Sequence, residues 1–180
     1  MQDYAYLLIP FAAGGFLLWL GGYFWWHLHE RRLTVLTPGE VMRSAAMRPG
    51  QLRRAVARHG LRAVVDLRKA DEGEVEQEAE TLAAVGCKHL RLPSTQVPDD
   101  DLRDRFLELI GDPENRPALI HCTHGEGRAV LYGALWLIEF QGVPPGTARK
   151  KARWVTTRGS TFDVKRDKGK YLENYQPVRG

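Results

Sequence analysis

The sequence predicts an α/β fold in which a mostly parallel central sheet is flanked by helices, with one transmembrane helix at the N-terminus. Short apolar runs typical of buried strands alternate with amphipathic runs typical of helices, and this alternation favours parallel strands joined by helical crossovers. The first 30 residues are strongly apolar. The remaining residues, about 150, suffice for one core but not for two. We therefore expect a membrane anchor at 1–30 and a single globular domain at 31–180.

The N-terminal segment has the length and flanks of a transmembrane helix. The 23 residues from Tyr4 to Trp26 carry no charge, and at about 1.5 Å per residue they would span roughly 34 Å, enough for a bilayer core. A cleaved signal peptide is the alternative, but the positive start and the small-residue cleavage site of such peptides are missing. Asp3 precedes the run and Arg31 and Arg32 follow it, so we expect a single-pass membrane protein with its domain in the cytoplasm.

Apolar patterns predict the elements of the first half of the domain in order. A short strand is expected over 41–47, and Pro49 opens a helix that Gly60 ends, because glycine readily adopts the left-handed conformation that follows helices. The runs 63–67 and 88–92 predict two more strands. Between them, 71–81 combines acidic residues with an apolar stripe, which predicts a helix with a solvated acidic face and disfavours a metal site there.

The second half of the domain continues the alternation. The aspartates Asp99 to Asp101 precede a helix with Leu102 and Phe106 on its apolar face, where acidic residues favour the helix N-terminus. Residues 118–120 predict a third buried strand, 121–128 a glycine-containing loop and 129–140 a long apolar helix. Two further helices are expected near 147–157 and 169–175.

The loop after the third buried strand carries the predicted chemistry. Cys122 follows the strand, five residues including Gly125 and Gly127 intervene, and Arg128 begins the helix. Such a loop can curl with its backbone N–H groups pointing inward and bind a phosphate at the positive end of the helix. The guanidinium could bind two phosphate oxygens, and the same field would favour a thiolate that attacks phosphorus. The predicted phosphate-binding residues are Thr123, His124, Gly125, Glu126, Gly127 and Arg128.

The stretch from His121 to Arg128 resembles the His-Cys-x5-Arg signature of the cysteine-based protein tyrosine phosphatase superfamily, in its dual-specificity-like form. Residues 42–45, 59–68 and 115–122 are similar to bacterial and plant or fungal atypical members, and the resemblance covers about 35–175. It implies a phosphatase acting on phosphotyrosine, phosphoserine/threonine or a small phosphomonoester, with no metal or cofactor. By resemblance, Cys122 is the nucleophile, Arg128 clamps the phosphate, and His121 is a buried residue that supports the loop.

The sequence also departs from the pattern of that superfamily. No aspartate lies at the usual distance before Cys122; Asp99, then Asp100, are the nearest candidates for the general acid, with Asp101 beside them, and helix capping is the alternative role. Ala129 replaces a common hydroxyl residue, which implies slow hydrolysis of the intermediate. Glu126 adds a negative charge that opposes highly charged substrates. His124 would offset part of this charge if protonated, but we rather expect it to point to solvent.

Three other readings of this loop compete with an active phosphatase. It could hold a phosphorylated partner without turnover, as a pseudophosphatase module. A rhodanese-like sulfurtransferase also uses a cysteine loop, although its loop is usually one residue shorter. A metal site formed by His121, Cys122 and His124 would need three ligands from one short run, and a fourth ligand is not evident.

Composition and charge limit the remaining possibilities. The chain is 43% hydrophobic and 27% charged, with a formal net charge of +4, which excludes a disordered chain. Cys87 and Cys122 are too few for a disulfide scaffold, although one pairing stays open. Nine basic residues against two acidic ones between 149 and 170 suggest contact with anionic lipid or a solvated basic face. No nucleic-acid partner is expected, since no recognised binding module accompanies this charge.

Overall fold

The computed structural model describes residues 5–151 and 160–179, with side chains from residue 12 onward. Within the described part of the chain, no helix is both long and apolar enough to cross a membrane. The predicted transmembrane helix therefore has no support from the structure. Part of the anchor predicted at 1–30 lies outside the described side chains.

The described chain forms these elements: α1 (Ala5–Leu28), β1 (Thr34–Thr37), β2 (Val41–Ala45), α2 (Pro49–His59), β3 (Ala63–Asp66), α3 (Val75–Ala83), β4 (Lys88–Arg91), α4 (Asp100–Gly111), β5 (Ala118–Cys122), α5 (Arg128–Gln141), α6 (Pro145–Lys151) and α7 (Asp167–Glu173).

The five strands form one sheet in the order β1-β2-β5-β3-β4. The pairs β2·β5, β5·β3 and β3·β4 are parallel, and β1 pairs antiparallel with β2 at the edge. The α/β prediction is therefore confirmed, with a mixed sheet. The edge strand β1 was missed because four residues with two threonines carry too short an apolar pattern to be recognised.

Two apolar clusters cover the two faces of the sheet, because successive strand residues point to opposite sides. Val65 and Ile120 pack into the larger cluster with α4, α5 and α7, whereas Val64 and Leu119 pack into the smaller cluster with α2. Helix α5 is buried along most of its length. This layering leaves the carboxyl ends of the parallel strands free of covering helices, which is where α/β proteins hold their ligands.

The helix α3 begins later than the acidic run suggested. Gly73 has φ +107°, which a helix cannot continue through, and Val75 is the first helical residue instead of residue 71. The helix also does not present all of its acidic residues to solvent. Glu78 is buried against the sheet, so the predicted solvated acidic face does not include this residue.

Candidate active site

The site lies at the carboxyl ends of the three central strands. Cys122 is the last residue of β5 and pairs with Ala45, the last residue of β2. On the other side of β5, His121 pairs with Asp66 at the end of β3. The strand thus extends two residues further than predicted, and His121 and Cys122 belong to it. The described cysteines are both free.

The stretch from Cys122 to Arg128, here called the phosphate-binding loop, curls back over the sulfur of Cys122. Gly125 has φ +67°, and its amide donates a hydrogen bond to Cys122 Sγ at 3.3 Å. A Cβ on Gly125 would lie 2.5 Å from the Ala45 amide nitrogen, so the loop backbone packs directly on β2. Among the described residues, no acceptor takes a hydrogen bond from the amides of Thr123, His124, Glu126, Gly127 or Arg128. An amide that points at sulfur stabilises its thiolate form, and unpaired amides at a helix N-terminus favour an anion.

Arg128 joins this loop to the two loops that follow β3 and β4. Its residue is only 6% exposed. The Nη1 group donates to the carbonyl oxygens of Leu67 at 2.9 Å and Ser94 at 3.2 Å. These carbonyls hold the guanidinium beside the loop, at 3.5 Å from Thr123 Oγ1.

Glu72 occupies both terminal nitrogens of Arg128. Its carboxylate accepts from Nη1 at 2.6 Å and from Nη2 at 2.8 Å. The hydrogen bond from Arg128 lowers the pKa of Glu72, so the carboxylate is ionised near neutral pH. This is the bidentate geometry that a phosphate would use. Sequence analysis missed Glu72 because it lies 56 residues from Arg128 in a run of similar acidic residues.

The substitution Glu72→Gln is expected to tighten binding of inorganic phosphate by about 10-fold, because it removes a charge that competes for Arg128. Isothermal titration calorimetry on the full chain would measure this affinity. Glu74→Gln is the matched control, since Glu74 is exposed and lies two residues away. Weaker phosphate binding by the Glu72 variant would mean that the carboxylate positions Arg128 for substrate and does not compete with it.

His121 contacts a buried group of charged side chains. Its Nε2 lies 2.7 Å from Glu78 Oε1, and Arg68 bridges the Glu78 and Asp66 carboxylates. Burial raises the pKa of Glu78, but hydrogen bonds from His121 and His89 outweigh burial and bring that pKa to about 2. The same carboxylates raise the pKa of His89 to about 9 against the opposing effect of burial. These contacts fix the position of His121, the residue that precedes Cys122.

The residues Asp66, Glu78 and His121 are also the one described group whose ligand atoms come close enough for a metal ion, within 4.8 Å of one another. Two guanidinium groups already contact its carboxylates, Arg68 on both and Arg91 on Asp66. Bound cationic side chains use the oxygens that a metal would need. Neither Cys122 nor His124 belongs to this group, so the alternative metal site considered from the sequence is not assembled by the described residues.

The two predicted candidates for the general acid, Asp99 and Asp100, both make contacts at the start of helix α4. Asp99 Oδ1 accepts a hydrogen bond from the Leu102 amide at 2.9 Å and caps the helix. Asp100 pairs with Arg103 at 2.6 Å, and its side chain is 85% exposed. No hydrogen bond or ion pair in the described part of the chain joins either aspartate, or Asp101, to Cys122 or Arg128. Their role as general acid stays a prediction.

Glu126 is paired with a residue that sequence analysis assigned to the membrane flank. Arg32 Nη2 lies 3.3 Å from Glu126 Oε1, and Arg32 Nη1 donates to the His124 carbonyl. The charge of Glu126 is thus offset by Arg32. This pairing weakens the expected repulsion between Glu126 and a highly charged substrate.

The basic stretch at 149–170 does not form one exposed face. Arg149 is buried and pairs with Glu173 at 2.6 Å, and Lys168 is 7% exposed beside the phosphate-binding loop. Arg153 and Arg158 lie outside the described residues. The exposed basic residues of the described part are Lys150, Lys151, Lys165, Arg166 and Lys170. Contact with anionic lipid therefore has no support from the structure beyond these scattered charges.

Known proteins resemble the chain in fold and in sequence. Among solved structures, the catalytic core of the PP-IP phosphatase SIW14 from S. cerevisiae has a TM-score of 0.66 and 20% identity, covering 80% of this chain and 85% of its own. TpbA from P. aeruginosa has a TM-score of 0.66 and 23% identity, covering 82% and 86%. At such identities these likenesses establish the fold.

A curated viral relative and a family model add sequence evidence. The "Putative tyrosine-protein phosphatase 1" of Orgyia pseudotsugata multicapsid polyhedrosis virus is 34% identical over 80 residues, which is 42% of this chain and 36% of that protein. The chain thus matches about a third of the length of this relative. The model of the DSP-PTPase phosphatase domain of the Swiss Army Knife protein family, PTP-SAK, matches residues 30–171. The chain therefore belongs to this family of dual-specificity-type phosphatase domains.

Proposed function

We propose that the chain hydrolyses phosphomonoesters through a phosphocysteine on Cys122. The observation that carries this proposal is the loop geometry: the Gly125 amide donates to Cys122 Sγ, and the buried Arg128 guanidinium lies at the end of the same loop. This arrangement is suited to an ionised sulfur and a bound tetrahedral dianion.

In the first chemical step, Cys122, the loop amides and Arg128 each have a separate role. The Cys122 thiolate attacks phosphorus, so that an S–P bond forms while the bond from phosphorus to the leaving oxygen breaks. The unpaired loop amides bind the equatorial oxygens, and Arg128 binds two of them once Glu72 has moved from its nitrogens. Water then attacks the phosphocysteine, releasing inorganic phosphate and restoring the thiolate.

We propose phosphotyrosine, or another aryl monoester, as the substrate class. The fold neighbour TpbA has been crystallised in complex with pTyr, with 22% identity and a TM-score of 0.64 to this chain. The viral relative is named as a tyrosine phosphatase. SIW14 is described as a PP-IP phosphatase, so a phosphorylated small molecule is the comparison substrate for any specificity assay.

Trapping of the intermediate tests the mechanism. The full chain would be mixed with a radiolabelled aryl phosphate, quenched in acid within milliseconds and digested for peptide mapping. We expect label on the peptide that contains Cys122 and none on Cys87. The second cysteine is an internal control, because burial raises its pKa to about 11 and keeps it a thiol. Turnover without label on Cys122 would contradict the proposal.

A phosphate-binding module without turnover is the second candidate. The observation that favours it is the occupation of Arg128 by Glu72, together with Ala129 in place of a hydroxyl residue. The same experiment decides between the two, because a binding module would retain the labelled ester unreacted. A sulfurtransferase would instead label Cys122 with sulfur from thiosulfate and leave aryl phosphates intact.

We also propose that the N-terminal segment holds the chain at a membrane with the domain in the cytoplasm. The support is the uncharged run Tyr4–Trp26 and the exposed apolar side chains of α1, including Leu18, Trp19 and Trp25. Carbonate extraction of membranes from cells that express the full chain tests it. Release of the protein into the soluble fraction would contradict it.

A further inference from the structure

Lys168 places a positive charge next to the phosphate-binding loop, although it lies 40 residues after Arg128 on a different helix. The residue is 7% exposed. Its Nζ lies 3.3 Å, and its Cε 3.4 Å, from the position that a Cβ on Gly127 would occupy. Even a methyl group at Gly127 would be in tight contact with the ammonium. The lysine thus reaches the loop at the residue immediately before the phosphate clamp.

The position of this ammonium is fixed from two sides. Its Nζ donates to Gln96 Oε1 at 2.5 Å, and Gln96 belongs to the loop between β4 and α4. The neighbouring residue, Gly169, packs so tightly that a Cβ there would lie 1.9 Å from the Asp163 carbonyl oxygen. Helix α7 is therefore anchored at the point from which Lys168 extends.

The described residues provide no carboxylate within ion-pair distance of Lys168 Nζ. A buried ammonium that contacts only a neutral amide is unfavourable unless an anion completes its surroundings. Burial lowers the pKa of Lys168, and the Cys122 thiolate acts in the opposite direction. These conditions are typical of a lysine at a functional site that exchanges its proton with a ligand.

A groove connects Lys168 to solvent. It has a volume of about 380 Å³ and is lined by Gln96, Ser160, Thr161, Arg166, Asp167 and Lys168. A substrate whose phosphoryl group sits in the phosphate-binding loop can place its leaving group along this groove. Gln96 and Lys168 line the groove and both lie beside Gly127 of that loop, so the leaving oxygen would be released next to Lys168.

We propose that Lys168 is the proton donor to the leaving oxygen, an inference that rests on the phosphocysteine mechanism above. As Cys122 Sγ bonds to phosphorus, the P–O bond breaks and the leaving oxygen takes a proton from the Lys168 ammonium, which becomes a neutral amine. In the second step the amine takes a proton from the attacking water, which restores the ammonium as phosphate departs. Gln96 orients the ammonium through its amide oxygen.

The dependence of the rate on the leaving group tests this role. The full chain and the variants Lys168→Met and Lys168→Arg would be assayed for kcat/KM with phenyl phosphate and with 2,4-dinitrophenyl phosphate. Phenoxide needs a proton to leave, whereas dinitrophenoxide does not. We expect both variants to lose at least about 100-fold on phenyl phosphate and to stay within about threefold of the parent on dinitrophenyl phosphate. Arginine retains the charge but does not release a proton.

Two control variants test whether the proton comes from Lys168 and not from another residue. Lys170→Met, on the exposed side of the same helix, is expected to behave as the parent on both substrates. Asp99→Asn keeps the helix cap but removes the acid, and a selective loss on phenyl phosphate in this variant would overturn the proposal.

Three other results would also contradict the role of Lys168. Equal loss on both substrates would assign a structural role to the lysine, and full activity of the arginine variant would assign a role to its charge alone. A parent chain that hydrolyses neither substrate would refute the phosphatase mechanism itself, which distinguishes the two failures.

Discussion

Replacing Cys122 by serine is expected to abolish turnover, with kcat for an aryl phosphate falling at least about 10⁴-fold. The reason is the nucleophile itself, since a serine hydroxyl is a much weaker acid and a much weaker nucleophile than a cysteine thiol. The loop geometry should survive, because Oγ can accept the same hydrogen bond. Phosphate affinity, measured by calorimetry, is therefore expected to stay within about threefold of the parent.

Cys87→Ser provides the opposite pattern in the same chain. Cys87 is buried in the smaller apolar cluster, so a hydroxyl there should lower the free energy of unfolding by about 1–3 kcal/mol while kcat is retained. Urea unfolding and steady-state kinetics on both variants separate stability from chemistry. A Cys122→Ser protein that retains more than about 1% of kcat would exclude the sulfur as nucleophile.

Alanine at Gly125 is expected to have the second largest effect, lowering kcat/KM and phosphate affinity at least about 100-fold. The added Cβ would lie 2.5 Å from the Ala45 nitrogen and 2.9 Å from the Ser44 oxygen. Since β2 cannot yield without breaking its pairing with β5, the loop must move instead. A displacement of about 1 Å at a reacting group is enough for a loss of this size.

Gly142→Ala is the matched control for this substitution. Gly142 also has a positive φ, +62°, but a Cβ there would meet no atom within 4 Å. It should therefore cost about 1 kcal/mol of stability through backbone strain alone and leave kcat/KM unchanged. If the two alanine variants had the same kinetics, the close approach of Gly125 to β2 would be irrelevant to catalysis.

Local patterns explain why much of this fold was predictable. Helix α2 was predicted at its observed ends, because Pro49 and Gly60 mark those ends in the sequence itself. The loop from Cys122 to Arg128 was equally accessible, since its nucleophile, glycines and guanidinium lie within one short run. The contacts that hold this loop in place, such as those of Arg128 with Leu67 and Ser94, come from elsewhere in the chain.

The contacts that the sequence did not reveal join residues far apart in the chain. Glu72 and Glu78 lie in the same acidic stretch, yet one pairs with Arg128 and the other with His121 and Arg68. Nothing in their composition separates them from the exposed glutamates beside them. Lys168 was likewise one of nine basic residues, and only the packing of α7 against the loop brings it to the site.

The link between Arg32 and the loop has a consequence for shortened forms of the protein. Arg31 and Arg32 both have positive φ, at 50° and 58°, a strained backbone that persists only when surrounding contacts hold it. Some of those contacts come from the end of α1, where His27 binds the Arg32 guanidinium and Trp26 Nε1 donates to the Leu33 carbonyl at 2.9 Å. Another comes from the segment after β2, where the Ala46 carbonyl accepts from Arg31 Nε. A truncation at residue 30 would remove the contacts that Trp26 and His27 make with residues 32 and 33. A shortened form made for crystallisation or screening should therefore begin before Trp26.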